Sequence, residues 1–273
     1  MKSRDITDLP LVRRLTHDYA LTFAVAVLMT AASVAGLLFP DTLYPTEALR
    51  HSFVSNDVVN LALGLPLLMG ALALTRRGKL LGLLFWPGTL FYVIYNYIAY
   101  AVAMPLTWQF VIYLALVGLS AYAIFCLLES IDGATVHARL AGAVPVRFGG
   151  GVLVGLGALF FLRAGAALVG ALVGRTPLPP AELAVLVADL LTTPLWVIGG
   201  VALWRRRTLG YVVGTGLLFQ ASMLFVALLV FFILQPFIAG APFPVEDFGV
   251  ILAMGLVCFA PFGLFLWGIV RKP

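Results

Sequence analysis

The sequence predicts an all-α polytopic membrane protein: a transmembrane helical bundle of eight spans, built as two four-span halves of the same topology. Three observations carry that reading. Charged residues make up only 11% of the chain, where a soluble domain carries about a quarter. Hydrophobic residues reach 62%, mean hydropathy is +1.07, and the apolar residues gather in runs of roughly 20, the length that crosses a hydrocarbon core ~30 Å thick. Lys and Arg fall in alternate connections between those runs.

Taken in order, residues 1–18 mix acids with bases and lack an A-x-A-like cleavage site, so they read as a retained cytosolic segment. A first half over 19–128 holds spans at 19–39, 58–75, 80–101 and 110–128. The polar stretch 129–149 connects it to a second half over 150–273, with spans at 150–172, 183–203, 211–234 and 250–270. All are expected to be helices, because backbone groups facing lipid must bond within their own segment, and runs this long and uniformly apolar do not suit barrel strands.

Orientation follows from the basic residues. Lys2, Arg4, Arg13, Arg14, Arg76, Arg77, Lys79, Arg139, Arg147, Arg205, Arg206, Arg207, Arg271 and Lys272 share one side. The opposite connections hold only Arg50 and Arg175, beside Asp41, Glu47, Glu182, Glu246 and Asp247. The positive-inside bias therefore predicts a multi-pass protein of the plasma (inner) membrane with both termini cytoplasmic. The net charge of +5 and pI of 9.4 do not indicate nucleic acid, because the basic residues form short clusters between spans instead of a stripe interleaved with aromatics.

The halves echo one another. "LPLLMGALALTRRGKLLG", ending at Gly82, and "TPLWVIGGVALWRRRTLG", ending at Gly210, align Pro66 with Pro194, Arg77 with Arg205 and Gly82 with Gly210. An even number of spans per half implies same-topology repeats, with a site expected at their interface.

Polar residues inside the apolar runs mark where that site is expected. "GALFFLRAGAALVGAL" carries Arg163, and an arginine at bilayer depth costs a few kcal/mol unless it is paired or wetted. Counted from the outer ends of spans five and six, Arg163 lies roughly 13 Å deep and Asp189 roughly 9 Å deep at the helical rise. The two are predicted to pair. "FVSNDVVNLALG" sets Asp57, Asn60 and Gly64 on one helical face, and "WPGTLFYVIYNYIAY" sets Tyr92, Tyr95, Asn96 and Tyr100 along another. Asn96 should face the bundle, Tyr92 should bond inside it, and Tyr97 and Tyr100 read as interfacial aromatics. Gln220, the repeat counterpart of Tyr92, sits near mid-membrane as a pocket floor. Pro66, Pro87 and Pro194 each remove a helical hydrogen bond near this layer.

No catalytic set, cofactor or metal centre is expected. His17, His51 and His137 lie outside or at the edges of the spans, the two cysteines form no C-x-x-C, and no H-E-x-x-H, G-x-S-x-G or Walker A run occurs. None of the three lysines is within a span. "SNDVVNLALGLPLLMGALALTRRGKLLG", "FYVIYNYIAYAVAMP" and "LALVGLSAYAIFCLL" resemble a group of uncharacterised prokaryotic multi-span proteins across spans two to four; the resemblance implies a membrane protein and no activity.

The expectation is a protein that contacts the lipid bilayer and binds a small, anionic solute or an ion in an outward-facing polar pocket, as transporter or sensor. Arg163, Asp189, Asn60, Asp57, Asn96, Tyr92 and Gln220 are the predicted ligand-binding residues. Two alternatives stand beside it: an accessory subunit whose polar layer only fixes packing, and a lipid-modifying enzyme using Glu129 with Asp132 or His51 with Asp57. The oligomeric state is open.

Overall fold

A computed structural model describes residues 9–240 and 242–271; Lys2, Arg4 and Lys272, counted above, lie outside them. The helices are α1 Thr16–Leu38, α2 Pro40–Leu43, α3 Glu47–Val59, a π-helical turn Asn60–Gly64, α4 Leu65–Arg76, α5 Leu80–Ala103 and α6 Trp108–Ser130. After the connecting helix α7 Gly133–Leu140 come α8 Val146–Gly174, α9 Pro180–Trp204, α10 Thr208–Ala239 and α11 Val245–Arg271. With α3, the π turn and α4 forming one continuous rod, eight of these helical units are long and apolar enough to cross a membrane. Among the described residues there is no strand, only an isolated bridge between Leu11 and Ile131.

Every predicted span coincides with a helix. The second departs most, because its helix begins at Glu47, well before the apolar run. The Thr46 side chain accepts from the Leu49 amide at 3.3 Å and caps a polar extension that hydropathy does not register. Further along, Pro66 has no N–H to give Ala62, and the rod meets that break with the wider π turn immediately before it.

Two helices hold opposite places in the bundle. The most apolar window of α5 is 72% buried, while that of α8 is 17% buried. Thus α5 is the hub and α8 a peripheral wall, which matters because α8 carries Arg163. The hub crosses α10 where Gly88 meets Gly216: a Cβ on Gly88 would lie 2.3 Å from the Gly216 carbonyl oxygen, so only glycine permits this approach.

The turns after α4 and α9 match bond for bond. Arg77 N donates to Ala73 O, Gly78 N to Thr75 O and Lys79 N to Leu74 O; Arg205 N donates to Val201 O, Arg206 N to Leu203 O and Arg207 N to Ala202 O. Gly78 and Arg206 take the left-handed φ of +70° and +56° at the same place. Each pair, like Gly88 and Gly216, stands 128 positions apart in the sequence.

At the end carrying these basic turns, residues 9–13 are tied down. Val12 N donates to Ser130 O, and Asp132 N donates to Pro10 O. Arg13 grips the buried Asp18 with two bonds of 2.9 and 3.0 Å and also donates to Cys126 O. Asp132 caps α7, accepting from the Ala134 and Thr135 amides and the Thr135 hydroxyl; those Thr135 bonds hold its carboxyl below the usual value. Cys126 and Cys258 are both free and buried.

Candidate functional site

The predicted polar residues separate into two places instead of one pocket. Both lie toward the end of the bundle opposite the basic turns.

The first is a cavity of about 690 Å³ at the junction of the two halves. From the first half α3 contributes Ser52 and Asn56, and α5 contributes Tyr95 and Asn96; α8, α9, α10 and α11 supply the rest of its wall. Most of that wall is apolar, including Leu159, Phe160, Trp196, Phe225, Leu228 and Met254. Its charged groups are Arg163 on α8, and Asp189 and Glu182 on α9.

Here the predicted ion pair is found. Arg163 Nη1 lies 3.8 Å from Asp189 Oδ2, close enough for an ion pair and too long for a hydrogen bond. The two partners are unequally placed: the Arg163 side chain is 57% exposed and that of Asp189 only 6%. Tyr95, which the sequence placed only on a stripe, supplies the missing hydrogen bond, its hydroxyl donating to Asp189 Oδ1 at 2.9 Å. A phenol on the third span at the depth of the carboxylate on the sixth was the signal available for it. With Asp189 held from the hub side by Tyr95, Arg163 makes no side-chain hydrogen bond among the described residues and lines the cavity.

Asn96 lines the same cavity, and its amide donates to Tyr92 O at 3.0 Å. Gln220 does not reach it. Its Oε1 accepts from Trp196 Nε1 at 2.5 Å, so it stands behind the tryptophan that forms the wall, and its Nε2 is buried with no partner among the described residues. It is a backing residue and not a pocket floor.

Asp57, Asn60 and Tyr92 belong to the second place, a closed cluster inside the first half. Asp57 is buried, and its two oxygens accept from Tyr44 Oη at 2.5 Å and Tyr100 Oη at 2.7 Å. Asn60 donates to Ser33 Oγ at 3.4 Å and accepts from Tyr92 Oη at 3.3 Å. Tyr97 and Tyr113 pack around Tyr100 with ring centroids 5.2 Å away. Tyr97 and Tyr100 are not exposed interfacial aromatics: both are fully buried, Tyr100 as a donor to Asp57 and Tyr97 as a donor to Met29 O at 3.3 Å. Gly36 backs this cluster; a Cβ there would meet the Asp57 carboxylate and the Tyr44 hydroxyl. Tyr44, outside the spans, has its ionisation pushed well above the ordinary phenol value by burial and by Asp57, so it stays a donor.

The pairs named for lipid chemistry find no support in the geometry. Asp132 is the α7 cap, His51 faces Glu47 at 3.7 Å, and Asp57 is taken by tyrosines. No cluster of three or more His, Cys, Asp or Glu that could hold a metal occurs among the described residues. The chain matches no protein-family model, no curated protein and no solved structure.

Proposed function

We propose that this is a transporter or sensor of the plasma membrane, oriented with its basic end in the cytoplasm, that binds a small amphipathic solute in the cavity between its halves. The halves are read as a duplicated four-span unit related about the α5–α10 crossing. The observation that carries the reading is the half-exposed Arg163 on the wall of a largely apolar cavity, 3.8 Å from a buried acid on the next span. Such a wall takes an apolar body, and a guanidinium with free donors takes a carboxylate. The acids outnumber the cation, since Glu182 joins Asp189. A zwitterion therefore satisfies the cavity better than a simple anion: carboxylate on Arg163, ammonium toward Asp189 and Glu182. The cavity draws walls from both halves, so rocking of one against the other changes its shape, which is what alternating access requires.

Three matched probes test this: phenylalanine, phenylacetate and phenethylamine, which share an apolar body and differ only in charged groups. Thermal melting of the purified protein should rise most with phenylalanine and less with phenylacetate. Arg163→Leu should remove both responses, and Asp189→Asn should reduce the phenylalanine response toward that of phenylacetate. Should no probe shift the melting of the wild type, or should Arg163→Leu respond fully, the cavity reading fails and the pair is a packing device.

A further inference from the structure

The basic end carries a second opening, separate from the cavity above. It is a groove of about 700 Å³ between α1 and α4, and it faces outward from the bundle. Its deep part is apolar. Phe23 and Met69 flank it, both exposed, and the small side chains of Ala20 and Ala73 leave the space between them. The groove runs from Thr16 in the first turn of α1 to Phe23, two turns on, ~10 Å at the helical rise. A slot on the outside of a membrane-spanning bundle is filled by whatever surrounds it, and at this depth that is acyl chain.

Its mouth is different in kind. Arg76 and Arg77 end α4 there, beside Tyr19 and Thr16. The Arg76 guanidinium lies over the Tyr19 ring, 4.8 Å from its centroid, which holds the charge above the slot and leaves its N–H groups in plane and free to donate. Among the described residues no carboxylate lies within 4 Å of either arginine; the nearby acid, Asp18, is turned inward and held by Arg13. The first turn of α1, which brings Thr16 to this mouth, has no side-chain cap. The second half does not repeat the feature. There α8 and α9 close on each other through glycines, a Cβ on Gly150 lying 2.7 Å from Gly200 O.

We infer that the α1–α4 groove is a site for one anionic phospholipid of the leaflet at the basic end: an acyl chain along Ala20, Phe23, Met69 and Ala73, and the phosphate held by Arg76, Arg77 and the Thr16 hydroxyl. The apolar depth explains a chain and the paired guanidiniums explain the charge; neither a free anion nor a neutral lipid uses both. This site is independent of the solute reading.

Native mass spectrometry of the purified, delipidated protein, offered equal amounts of phosphatidylglycerol and phosphatidylcholine with identical chains, tests it. The wild type should retain phosphatidylglycerol at least fivefold over phosphatidylcholine. Arg76→Gln/Arg77→Gln should bring that ratio to near one, and Ala73→Phe, which fills the slot from a lipid-facing position, should lower retention of both. Arg205→Gln/Arg207→Gln, the same charge loss at the matching turn of the second half, should leave the preference intact. Inorganic phosphate at millimolar concentration should not displace the lipid. Equal retention of the two lipids by the wild type, an unchanged ratio in the Arg76/Arg77 variant, or an equal loss in the Arg205/Arg207 variant overturns the site. Monodisperse elution and an unchanged melting temperature qualify each variant for comparison.

Discussion

In the first half, Asp57, Tyr97 and Tyr100 form part of a closed hydrogen-bonded cluster; 128 positions on, the second half has Val185, Phe225 and Leu228, and all three line the open cavity. Without the carboxylate and the hydroxyls the bonds that hold a cluster shut are absent, and Leu228 in place of a tyrosine is the smaller side chain. At the basic end the contrast reverses: α1 and α4 stand apart around a groove, whereas α8 and α9 close through Gly150 and Gly200. The two halves thus differ in where paired spans close on each other and where they leave space between them.

The largest expected effect comes from breaking what the halves share. Gly88→Val places side-chain atoms where Gly216 backbone sits, and it should destabilise by 3 kcal/mol or more on the order of overpacking costs, or prevent recovery of folded protein. The yield of monodisperse protein after detergent extraction measures it. A melting temperature unchanged by Gly88→Val would separate the halves and undo the comparison.

Next in size are changes in the closed cluster. Asp57→Ala leaves the Tyr44 hydroxyl buried without its acceptor and Tyr100 with only the long 3.4 Å bond to Phe53 O, at about 1–3 kcal/mol for an unsatisfied group. Asp57→Asn keeps one acceptor oxygen, so melting temperatures should fall in the order wild type, Asn, Ala. The reverse order would mean that the carboxylate is strained in place.

The cavity side should behave oppositely. Arg163→Leu removes an exposed partner and should change stability by no more than about 1 kcal/mol while abolishing the carboxylate response. Leu228→Tyr gives the second half the residue of the first and should occlude the cavity, suppressing all three probe responses with melting temperature held or raised. Binding retained by Leu228→Tyr would show that the ligand sits elsewhere.

The smallest effect concerns α7, which lies between the halves. Asp132 is held below its unfolded pKa of ~4, so its capping contribution is present above that value and is lost as pH falls through the lower folded value. Hydrogen exchange of amides 136–141, corrected for intrinsic rate, should accelerate on acidification in the wild type and be fast at all pH in Asp132→Ala.

The sequence carries the spans because the hydrocarbon core imposes length and apolarity directly, and all eight runs match helices. It also carries the Arg163–Asp189 pair, since depth counted along adjacent spans fixes which charges can meet. What it does not carry is the split of the polar layer. Asp57 takes one partner, Tyr44, from a loop whose depth hydropathy does not define, and another, Tyr100, from a position that reads as interfacial. Tyr95 and Tyr92 are neighbours on one helix yet serve different places, because Tyr95 reaches the α9 acid and Tyr92 reaches Asn60 of the π turn. That turn immediately precedes Pro66, whose missing N–H breaks the helical ladder, and an apolar pattern does not report it.

The two native thiols, Cys126 and Cys258, are both shut away inside the helices' contacts. A cysteine introduced at Leu159 or Glu182 on the cavity rim is then the single nucleophile that a membrane-impermeant maleimide can modify. Whole-cell labelling can accordingly read which side of the bilayer the cavity faces, and ligand protection can be scored against a silent background without first stripping the protein of its own sulfur.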